Sequence, residues 1–253
     1  MTENTNSKFP SEADVVIVGV GGIVGSMIAY WLSELGQKNI VGLEKSSVIP
    51  SDIASTAHAS DFVYNTTHDK LGCWTTAYSR KFYEDNGFFL KKGGLEICRK
   101  GDDARWEELK RKVGSGKAFG TNVRLISASE AKEKFPLLDE ESLMGAMWDP
   151  DAGLVIPRSQ DVVSFAVESA KDKGALKTFT DTPAIDFEVE NGRVTGVKTD
   201  KGFIKADKVV ICSGIWGPLM GKKAGVPVPL MPLEHPLLFF GPLPEAQGAE
   251  DFL

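Results

Sequence analysis

The sequence predicts an α/β fold that opens with a strand, a helix and a second strand. Residues 14–18 form a short β-branched run that ends at a glycine, which is typical of a buried strand. Residues 22–35 carry apolar side chains at helical spacing, and Gly36 follows them as a helix stop. Residues 39–43 then supply a second apolar run. This order predicts a Rossmann-like βαβ unit.

After Glu44 the regular alternation of strand and helix ends. A Ser-, Thr- and Ala-rich stretch from 46 to 60 stands where a nicotinamide-binding domain would continue with a further strand and helix. Asn191-Gly192 lies between two apolar runs and is a strong signal for a two-residue β-hairpin. Later segments predict helices near 66–86, 103–112, 128–134 and 159–173, and strands at 94–99, 123–126, 184–189, 194–199, 207–211 and 226–241.

Composition excludes several classes of protein. The chain has 253 residues, 42% of them apolar, and a formal net charge of −6, which argues against disorder and against a general basic surface for nucleic acid or anionic membranes. Residues 1–11 are polar, lack the features of a signal peptide and are expected to form a disordered tail. The three Cys and three His are scattered, so no metal site is predicted. These observations favour a cytoplasmic location without nucleic-acid or membrane partners.

The clearest motif is the glycine-rich segment from Gly19 to Gly25, which follows a strand and opens a helix. Such a turn lets a diphosphate approach backbone N–H groups at a helix N-terminus, where a Cβ would block it. Two registers of the G-x-G-x-x-G pattern compete. If the pattern starts at Gly19, its third glycine becomes Val24, and if it ends at Gly25, its first becomes Val20.

The helix favours the register that ends at Gly25. In that register Ala29 and Leu32 fall where a small residue and a core residue pack on the sheet, and Glu44 lies 19 residues after Gly25. An acidic residue about 20 positions on is expected to bind a ribose hydroxyl. We therefore predict a dinucleotide site, whose candidate residues are Gly19, Gly21, Gly22, Ile23, Val24, Gly25, Glu44 and Lys45.

Beyond Glu44 the sequence resembles a known family. Residues 54–59 (ASTAHA) are similar to the G-S-T-x-H-A loop of the dimethylglycine oxidase, dimethylglycine dehydrogenase and sarcosine dehydrogenase branch of the D-amino-acid-oxidase-like FAD oxidoreductases. Further similar segments follow in the same order, namely GGLE at 93–96, FPLL at 135–138, DPDAG at 149–153, GRVTGV at 192–197, GIWG at 214–217 and VPLMPLEH at 228–235. The resemblance covers Asp14 to Pro244.

The resemblance implies FAD as cofactor and assigns further residues to it. His58 would carry FAD through a covalent bond to the 8α carbon of the flavin, and Ser55 and Thr56 would donate to the diphosphate. Ala184 would touch the adenine, and the turn of Ser213, Gly214 and Trp216 would run close to the cofactor. From the residues alone, Trp216 could equally pack on the helix that follows it. Ala54 stands where this branch has glycine, and Ser60-Asp61 where a Pro-Gly pair is common.

The resemblance also implies a substrate and a domain plan. His235 would lie at the substrate face of the flavin as the catalytic residue, and an N-methyl amine such as dimethylglycine or sarcosine would pass a hydride to flavin N5. Residues 12–66 and 151–225 would form the FAD-binding domain. Residues 67–150 and 226–253 would form a truncated, interleaved substrate domain with an incomplete antiparallel sheet, which a second chain could complete.

Two other functions remain open at this point. One is a non-catalytic FAD-binding subunit, or a remnant of such an enzyme, which the early end of the chain and Asp61 favour. The other is a nicotinamide dehydrogenase, which the loss of strand–helix alternation after Glu44 argues against.

Overall fold

The computed structural model describes residues 9–234 together with 236 and 244. The chain forms two compact units, each with its own contacts. Unit 1 consists of Met1–Ala59 and Arg158–Pro236, and unit 2 of Ser60–Pro157 and Leu237–Leu253. The first segment of unit 2 therefore lies in the chain between the two segments of unit 1, and its second segment follows them. The assignment of cofactor and substrate roles to separate domains stays a prediction.

The described residues contain strands and helices throughout. The strands are β1 (Glu12–Val18), β2 (Ile40–Leu43), β3 (Phe62–Val63), β4 (Phe89–Lys91), β5 (Gly94–Arg99), β6 (Arg124–Ile126), β7 (Leu143–Asp149), β8 (Gly153–Val155), β9 (Leu176–Phe179), β10 (Ala184–Glu190), β11 (Arg193–Thr199) and β12 (Gly202–Ile211). The helices are α1 (Ile23–Glu34), α2 (Lys70–Asp85), α3 (Asp103–Ala118), α4 (Ala128–Lys134), α5 (Ser159–Asp172) and α6 (Gly217–Lys223), with 3₁₀ turns at Ser55–His58, Glu140–Ser142 and Gly214–Trp216.

Unit 1 is built on a six-stranded sheet with the order β10-β11-β12-β1-β2-β9. Its central strands are parallel, because β1 pairs in parallel with both β12 and β2, and β2 pairs in parallel with β9. Strand β1 is buried on both faces: Val16 and Val18 point into one core cluster, and Val15 and Ile17 into the other. This burial explains its continuous apolar run. The predicted α/β class with a βαβ opening is confirmed.

Helix α1 packs against the sheet through small residues. Ala29 is fully buried in the same cluster as Val163 and Val167 of α5, as expected for a residue that faces the sheet. The helix ends at Glu34 with Leu35 as its C-cap, and Gly36 follows with a φ of 86°, so the predicted stop is confirmed.

The hairpin predicted at Asn191-Gly192 joins β10 and β11, which pair antiparallel. Both turn residues have positive φ, 52° and 77°, as a two-residue type I′ turn requires. Strand β12 starts at Gly202, five residues before the prediction of 207, because it continues the meander from β11 before it reaches β1. Its early half alternates, with Ile204 and Ala206 buried.

Unit 2 contains two three-stranded antiparallel sheets, ordered β3-β8-β4 and β5-β7-β6. Helix α3 covers the second sheet through Leu109 and Val113, which share a cluster with Met147 of β7. The helix runs six residues beyond the predicted end at 112, since Val113 and Gly116 are buried on the same face. The antiparallel character expected for this part of the chain is confirmed.

Two expectations at the ends of the chain are corrected. Residues 9–11 are ordered rather than part of a disordered tail, because the Phe9 ring packs edge-to-face on Phe179 with centroids 5.3 Å apart. Residues 226–234 form no strand, although one was predicted over 226–241. Prolines at 227, 229 and 232 remove the N–H groups that a ladder needs. No helix in the described residues has the length and apolar content that crossing a bilayer requires.

Candidate functional site

Unit 1 contains a cavity of about 640 Å³ outside the carboxyl ends of β1, β2 and β12. In open α/β sheets this edge is where ligands bind. The lining comes from the glycine loop and strand ends (18, 19, 22–24, 43–45, 211), from the loop at 51 and 53–56, from 182–184, and from the segment 212–217 with 219, 220, 223, 228 and 230.

Two glycines of the loop are required by the packing of the protein itself. Gly19 has a φ of 92°, and a Cβ there would lie 2.6 Å from the Cys212 carbonyl oxygen. A Cβ on Gly25 would lie 2.1 Å from the Gly19 carbonyl oxygen, so this glycine lets α1 approach the end of β1. Both glycines that the competing registers invoked are therefore needed, and the loop is one residue longer than the pattern. The additional residue, Val20, is fully buried in the core.

Gly22 differs from these two glycines because a Cβ there would clash with no atom of the protein. The nearest atoms to a Cβ on Gly22 would be 3.6 Å away, an ordinary contact. It is the N-cap of α1, which has no side-chain cap and no acidic residue in its first turn. The N–H groups of Gly22, Val24 and Gly25 have no acceptor in the described part of the chain, so they remain for an anion at a helix N-terminus.

The predicted loop residues after β2 meet this helix end. Thr56 lines the cavity, and its Oγ1 accepts a hydrogen bond of 3.0 Å from the N–H of Ile23. Ser55 also lines the cavity. His58 ends the same 3₁₀ turn but is exposed and is not among the lining residues, so its predicted bond to a flavin stays a prediction. In unit 2, Asp61 has a φ of 62°, a conformation that favours the glycine common at this position.

Glu44 has partners within the protein that the sequence did not reveal. Its carboxylate is buried, and it accepts hydrogen bonds from the N–H of Gly21 at 2.9 Å, the N–H of Ser46 at 2.9 Å and the Oγ of Ser51 at 3.2 Å. Glu44 also lines the cavity. The contact predicted between Glu44 and a ribose stays a prediction. In addition, its hydrogen bond to Gly21 holds the glycine loop. Ser51 lies in an aperiodic, serine-rich stretch, where no sequence signal could identify it.

The wall across the cavity is formed by the turn after β12. Trp216 lines the cavity, and the Nζ of Lys45 lies 4.9 Å from its ring centroid. The Ser213 Oγ is buried and has no hydrogen-bond partner in the described residues. Because buried polar atoms are normally hydrogen-bonded, this hydroxyl is a candidate for a hydrogen bond to a ligand. Burial raises the pKa of the adjacent Cys212 thiol to about 11, so this thiol stays protonated at neutral pH.

The remaining predicted residues divide into three groups. Ala184 and Gly214 line the cavity, while Gly21 and Gly25 lie behind the lining and shape the loop. His235 lies outside the described residues. The structure adds lining residues that prediction missed, among them Thr182, Leu219 and Lys223. Within the described residues no group of three His, Cys, Asp or Glu side chains could hold a metal ion.

These features fit a dinucleotide such as FAD. The open side of Gly22 and the unpartnered N–H groups suit a diphosphate, and the orphaned Ser213 hydroxyl can bond a polar group of the same ligand. The rest of the lining is mainly apolar, as is usual for cofactor sites.

Comparison with known proteins agrees with this assignment. The chain is 29% identical to human (Homo sapiens) mitochondrial sarcosine dehydrogenase over 93% of its length, and 31% identical to the mouse (Mus musculus) mitochondrial pyruvate dehydrogenase phosphatase regulatory subunit over 90%. It spans 26% of the length of each.

Among solved structures, the L-proline dehydrogenase from P. horikoshii superposes with a TM-score of 0.76 at 30% identity, over 86% of this chain and 57% of that one. Residues 14–252 match the model of the family described as FAD dependent oxidoreductase. This match takes in nearly all of the chain, including the glycine loop, Glu44 and the turn after β12. The chain therefore belongs to the FAD dependent oxidoreductase family, whose cofactor is FAD.

Proposed function

We propose that unit 1 binds FAD with its diphosphate against the N-terminus of α1. The observation that carries this proposal is the set of N–H groups of Gly22, Val24 and Gly25 at the start of α1, which have no acceptor in the described residues and of which Gly22 and Val24 line the cavity. We propose further that the protein oxidises an N-methyl amino acid of the sarcosine or dimethylglycine kind, in line with its likeness to sarcosine dehydrogenase.

Each residue of the site has a distinct task in this proposal. The N–H groups of Gly22 and Val24 bind the diphosphate, and the hydroxyl of Thr56, which accepts from Ile23, donates its own proton to a phosphate oxygen. Glu44 accepts from a ribose hydroxyl. The positive charge of Lys45, which lies over Trp216 at the cavity wall, offsets the charge of the phosphates.

The chemistry is divided between cofactor and protein. When bound, FAD supplies a hydride acceptor at N5, so that an N-methyl amine becomes an iminium, which water splits into formaldehyde and the demethylated amine. His235 keeps the amine unprotonated, because an imidazole titrates near neutral pH and can accept the ammonium proton. His58, which is exposed, would hold the flavin through its imidazole.

Expression of the full chain tests this proposal directly. We expect a yellow protein, and the colour should remain in the pellet after acid precipitation if His58 attaches the flavin. A His58→Ala variant should then release its flavin on precipitation. Anaerobic addition of sarcosine or dimethylglycine should bleach the flavin absorbance. A colourless protein that does not bind added FAD would contradict the cofactor assignment.

A second candidate is a FAD-binding protein without turnover, which the likeness to a phosphatase regulatory subunit favours. It predicts bound flavin that stays oxidised when N-methyl amines are added without oxygen. The same titration therefore separates the two functions. Glycine, which lacks the N-methyl group, is the control ligand.

Location and partners stay predictions. The human relative is named as mitochondrial, so cell fractionation is the test of the cytoplasmic location that the composition favours. A second chain that completes the substrate domain is a further proposal, and co-purification with tagged protein would detect it.

A further inference from the structure

The turn between the glycine loop and α1 is held from behind by two buried polar side chains. Glu44 is 6% exposed and Ser51 is 2% exposed. Burying a carboxylate costs free energy unless hydrogen-bond donors satisfy it. The hydrogen bonds of Glu44 and Ser51 therefore show which part of the loop this pair stabilises.

The contacts fix both sides of one residue, Gly21. The N–H of Gly21 donates to Glu44 Oε2 at 2.9 Å, and its carbonyl oxygen accepts from the N–H of Ser51 at 2.9 Å. Ser51 closes the ring, because its Oγ donates to Glu44 Oε1 at 3.2 Å. We call this arrangement of Glu44, Ser51 and Gly21 the Gly21 clamp.

The clamp leaves no room for a side chain at its centre. A Cβ on Gly21 would lie 2.6 Å from Glu44 Oε2 and 2.7 Å from the Ser51 Cβ. Gly21 also directly precedes Gly22, which lines the cavity and whose N–H has no acceptor in the described residues. Fixing the peptide groups of Gly21 therefore fixes the direction in which the following N–H groups point.

The clamp also explains how a lengthened loop can keep a defined shape. The extra residue, Val20, is anchored in the core, and the N–H groups of Gly19 and Val20 both donate to the Leu43 carbonyl oxygen, at 2.8 and 3.1 Å. Gly21 is the first loop residue beyond that anchor. Without the clamp, the segment between Val20 and the first turn of α1 keeps the Ile23–Thr56 contact and the bond from the Ser26 N–H to the Gly22 carbonyl oxygen, and neither of these holds the peptide groups of Gly21.

We propose that Ser51 is a positioning residue for the cofactor diphosphate and that Glu44 serves two purposes, one through the clamp and one through the ribose. A carboxylate offers about four lone-pair sites, and three donors from the protein occupy three of them. One site remains for a ribose hydroxyl. This inference rests on the proposed binding of FAD in the same cavity.

A diphosphate probe that lacks a ribose separates two effects, the positioning of the diphosphate by the clamp and the contact of Glu44 with the ribose. The full chain carrying His58→Ala, which removes the proposed covalent link, and its Ser51→Ala, Glu44→Gln and Ser47→Ala variants are freed of flavin and titrated with FAD by flavin fluorescence, and with inorganic pyrophosphate as a competitor. Ser47 is the matched control, since it is exposed and lies in the same loop outside the clamp. Circular dichroism melting verifies that each variant is folded.

We expect Ser51→Ala to weaken both FAD and pyrophosphate by the same factor, about tenfold, as for the loss of a hydrogen bond to a charged group. Glu44→Gln should weaken pyrophosphate as well and FAD by a larger factor, and Ser47→Ala should match the wild type. In the double variant the effect on pyrophosphate should be less than the product of the two single effects, because both act through one ring of contacts.

Two results would overturn the clamp while FAD binding stands. One is that Ser51→Ala keeps the wild-type affinity for both ligands. The other is that Glu44→Gln lowers the affinity for FAD but leaves the affinity for pyrophosphate unchanged. If Ser51→Ala does not fold, the pyrophosphate affinity of Glu44→Gln decides alone. A wild-type chain that binds neither ligand would contradict the proposed function itself and the clamp with it.

Discussion

At the scale of single residues, the glycines of the loop have different physical reasons to be glycine. Gly19, Gly21 and Gly25 are fixed by close approach of the protein's own atoms, whereas Gly22 has free space beside it. A glycine that the apoprotein does not need for packing is explained by the ligand that approaches it.

This difference predicts that Gly22→Ala separates binding from folding. The extended backbone of Gly22, with φ −99° and ψ 167°, suits alanine, and the new methyl makes only ordinary contacts. We expect a change in unfolding free energy of no more than about 1 kcal/mol, as for an N-cap substitution. FAD affinity should fall at least about tenfold because the methyl fills the cradle. Urea unfolding and flavin titration measure the two effects, and unchanged affinity would contradict the cradle.

Gly25→Ala should have the opposite profile. Its Cβ would meet a backbone oxygen, which cannot turn aside as a flexible side chain could. We expect a loss of about 1–3 kcal/mol in unfolding free energy, the usual cost of overpacking. Gly114→Ala is the control, because Gly114 is a helical glycine with no atom within 4 Å of its Cβ position. It should gain about 0.5–1 kcal/mol. Equal effects at both positions would contradict the close approach at Gly25.

Sequence reasoning at this scale succeeded where local rules decide. The glycine loop and Glu44 could be predicted because strand, turn, helix and acid stand at fixed spacings. Ser51 could not, since its contact with Gly21 joins residues far apart in the chain and depends on the path of an aperiodic loop. Val20 showed the same limit, because the pattern could not tell whether the additional residue faces the cavity or the core.

At the scale of elements, local signals predicted most boundaries, and tertiary contacts moved the others. The hairpin at Asn191-Gly192 is specified by its turn residues, so its position was predicted correctly. The end of α3 depends on burial against the second sheet of unit 2, which no local signal encodes. The segment after 226 has strand-like composition, but the described part lacks a paired neighbour.

Helix α4 offers a test of element stability. Its N-terminus is a capping box, in which Glu130 N–H donates to Ser127 Oγ at 3.2 Å and Ser127 N–H donates to Glu130 Oε2 at 2.8 Å. We expect Ser127→Ala to lower the unfolding free energy by about 1 kcal/mol at neutral pH. Ser129→Ala, an exposed change in the same helix, is the control and should not destabilise.

The capping box should also depend on pH. The Ser127 backbone N–H holds the pKa of the Glu130 carboxyl below its ordinary value. The stabilisation by this carboxylate is therefore present above the ordinary Glu pKa and is lost as the pH falls through the lowered one. Urea unfolding of wild type and Glu130→Gln should differ most near neutral pH and converge in acid. A constant difference across that range would contradict the box.

At the scale of the whole molecule, the proposed binding links the cofactor to stability. A ligand that binds only the folded chain raises its unfolding free energy by about 2.7 kcal/mol at a concentration 100 times its Kd. The melting temperature of the wild type should therefore rise with increasing FAD, and that of the Gly22→Ala variant should rise much less at the same concentrations. An identical shift for both proteins would mean that FAD binds away from the cradle.

The βαβ opening and the hairpin could be predicted from sequence, because glycine stops and turn residues are local features. The parallel strand β9 and four strands of unit 2 (β3, β4, β7 and β8) were not predicted. The insertion of unit 2 within unit 1 needed the resemblance, since no composition change marks residues 60 or 157. The chemistry needed it as well. His58 and Ala184 acquire a proposed role only through similarity, whereas the proposed diphosphate site rests on the N–H groups at the start of α1 that have no acceptor in the described residues.

The central claim is that the FAD diphosphate lies against the N-terminus of α1. An amide NMR titration with FAD of the isotope-labelled, flavin-free His58→Ala chain, which lacks the proposed covalent link, tests it most directly. We predict the largest downfield proton shifts at Gly22, Val24 and Gly25, because their N–H groups acquire charged acceptors. Shifts of the Gly114 amide should be negligible. Saturable FAD binding that leaves the amides of Gly22, Val24 and Gly25 unmoved would contradict the claim.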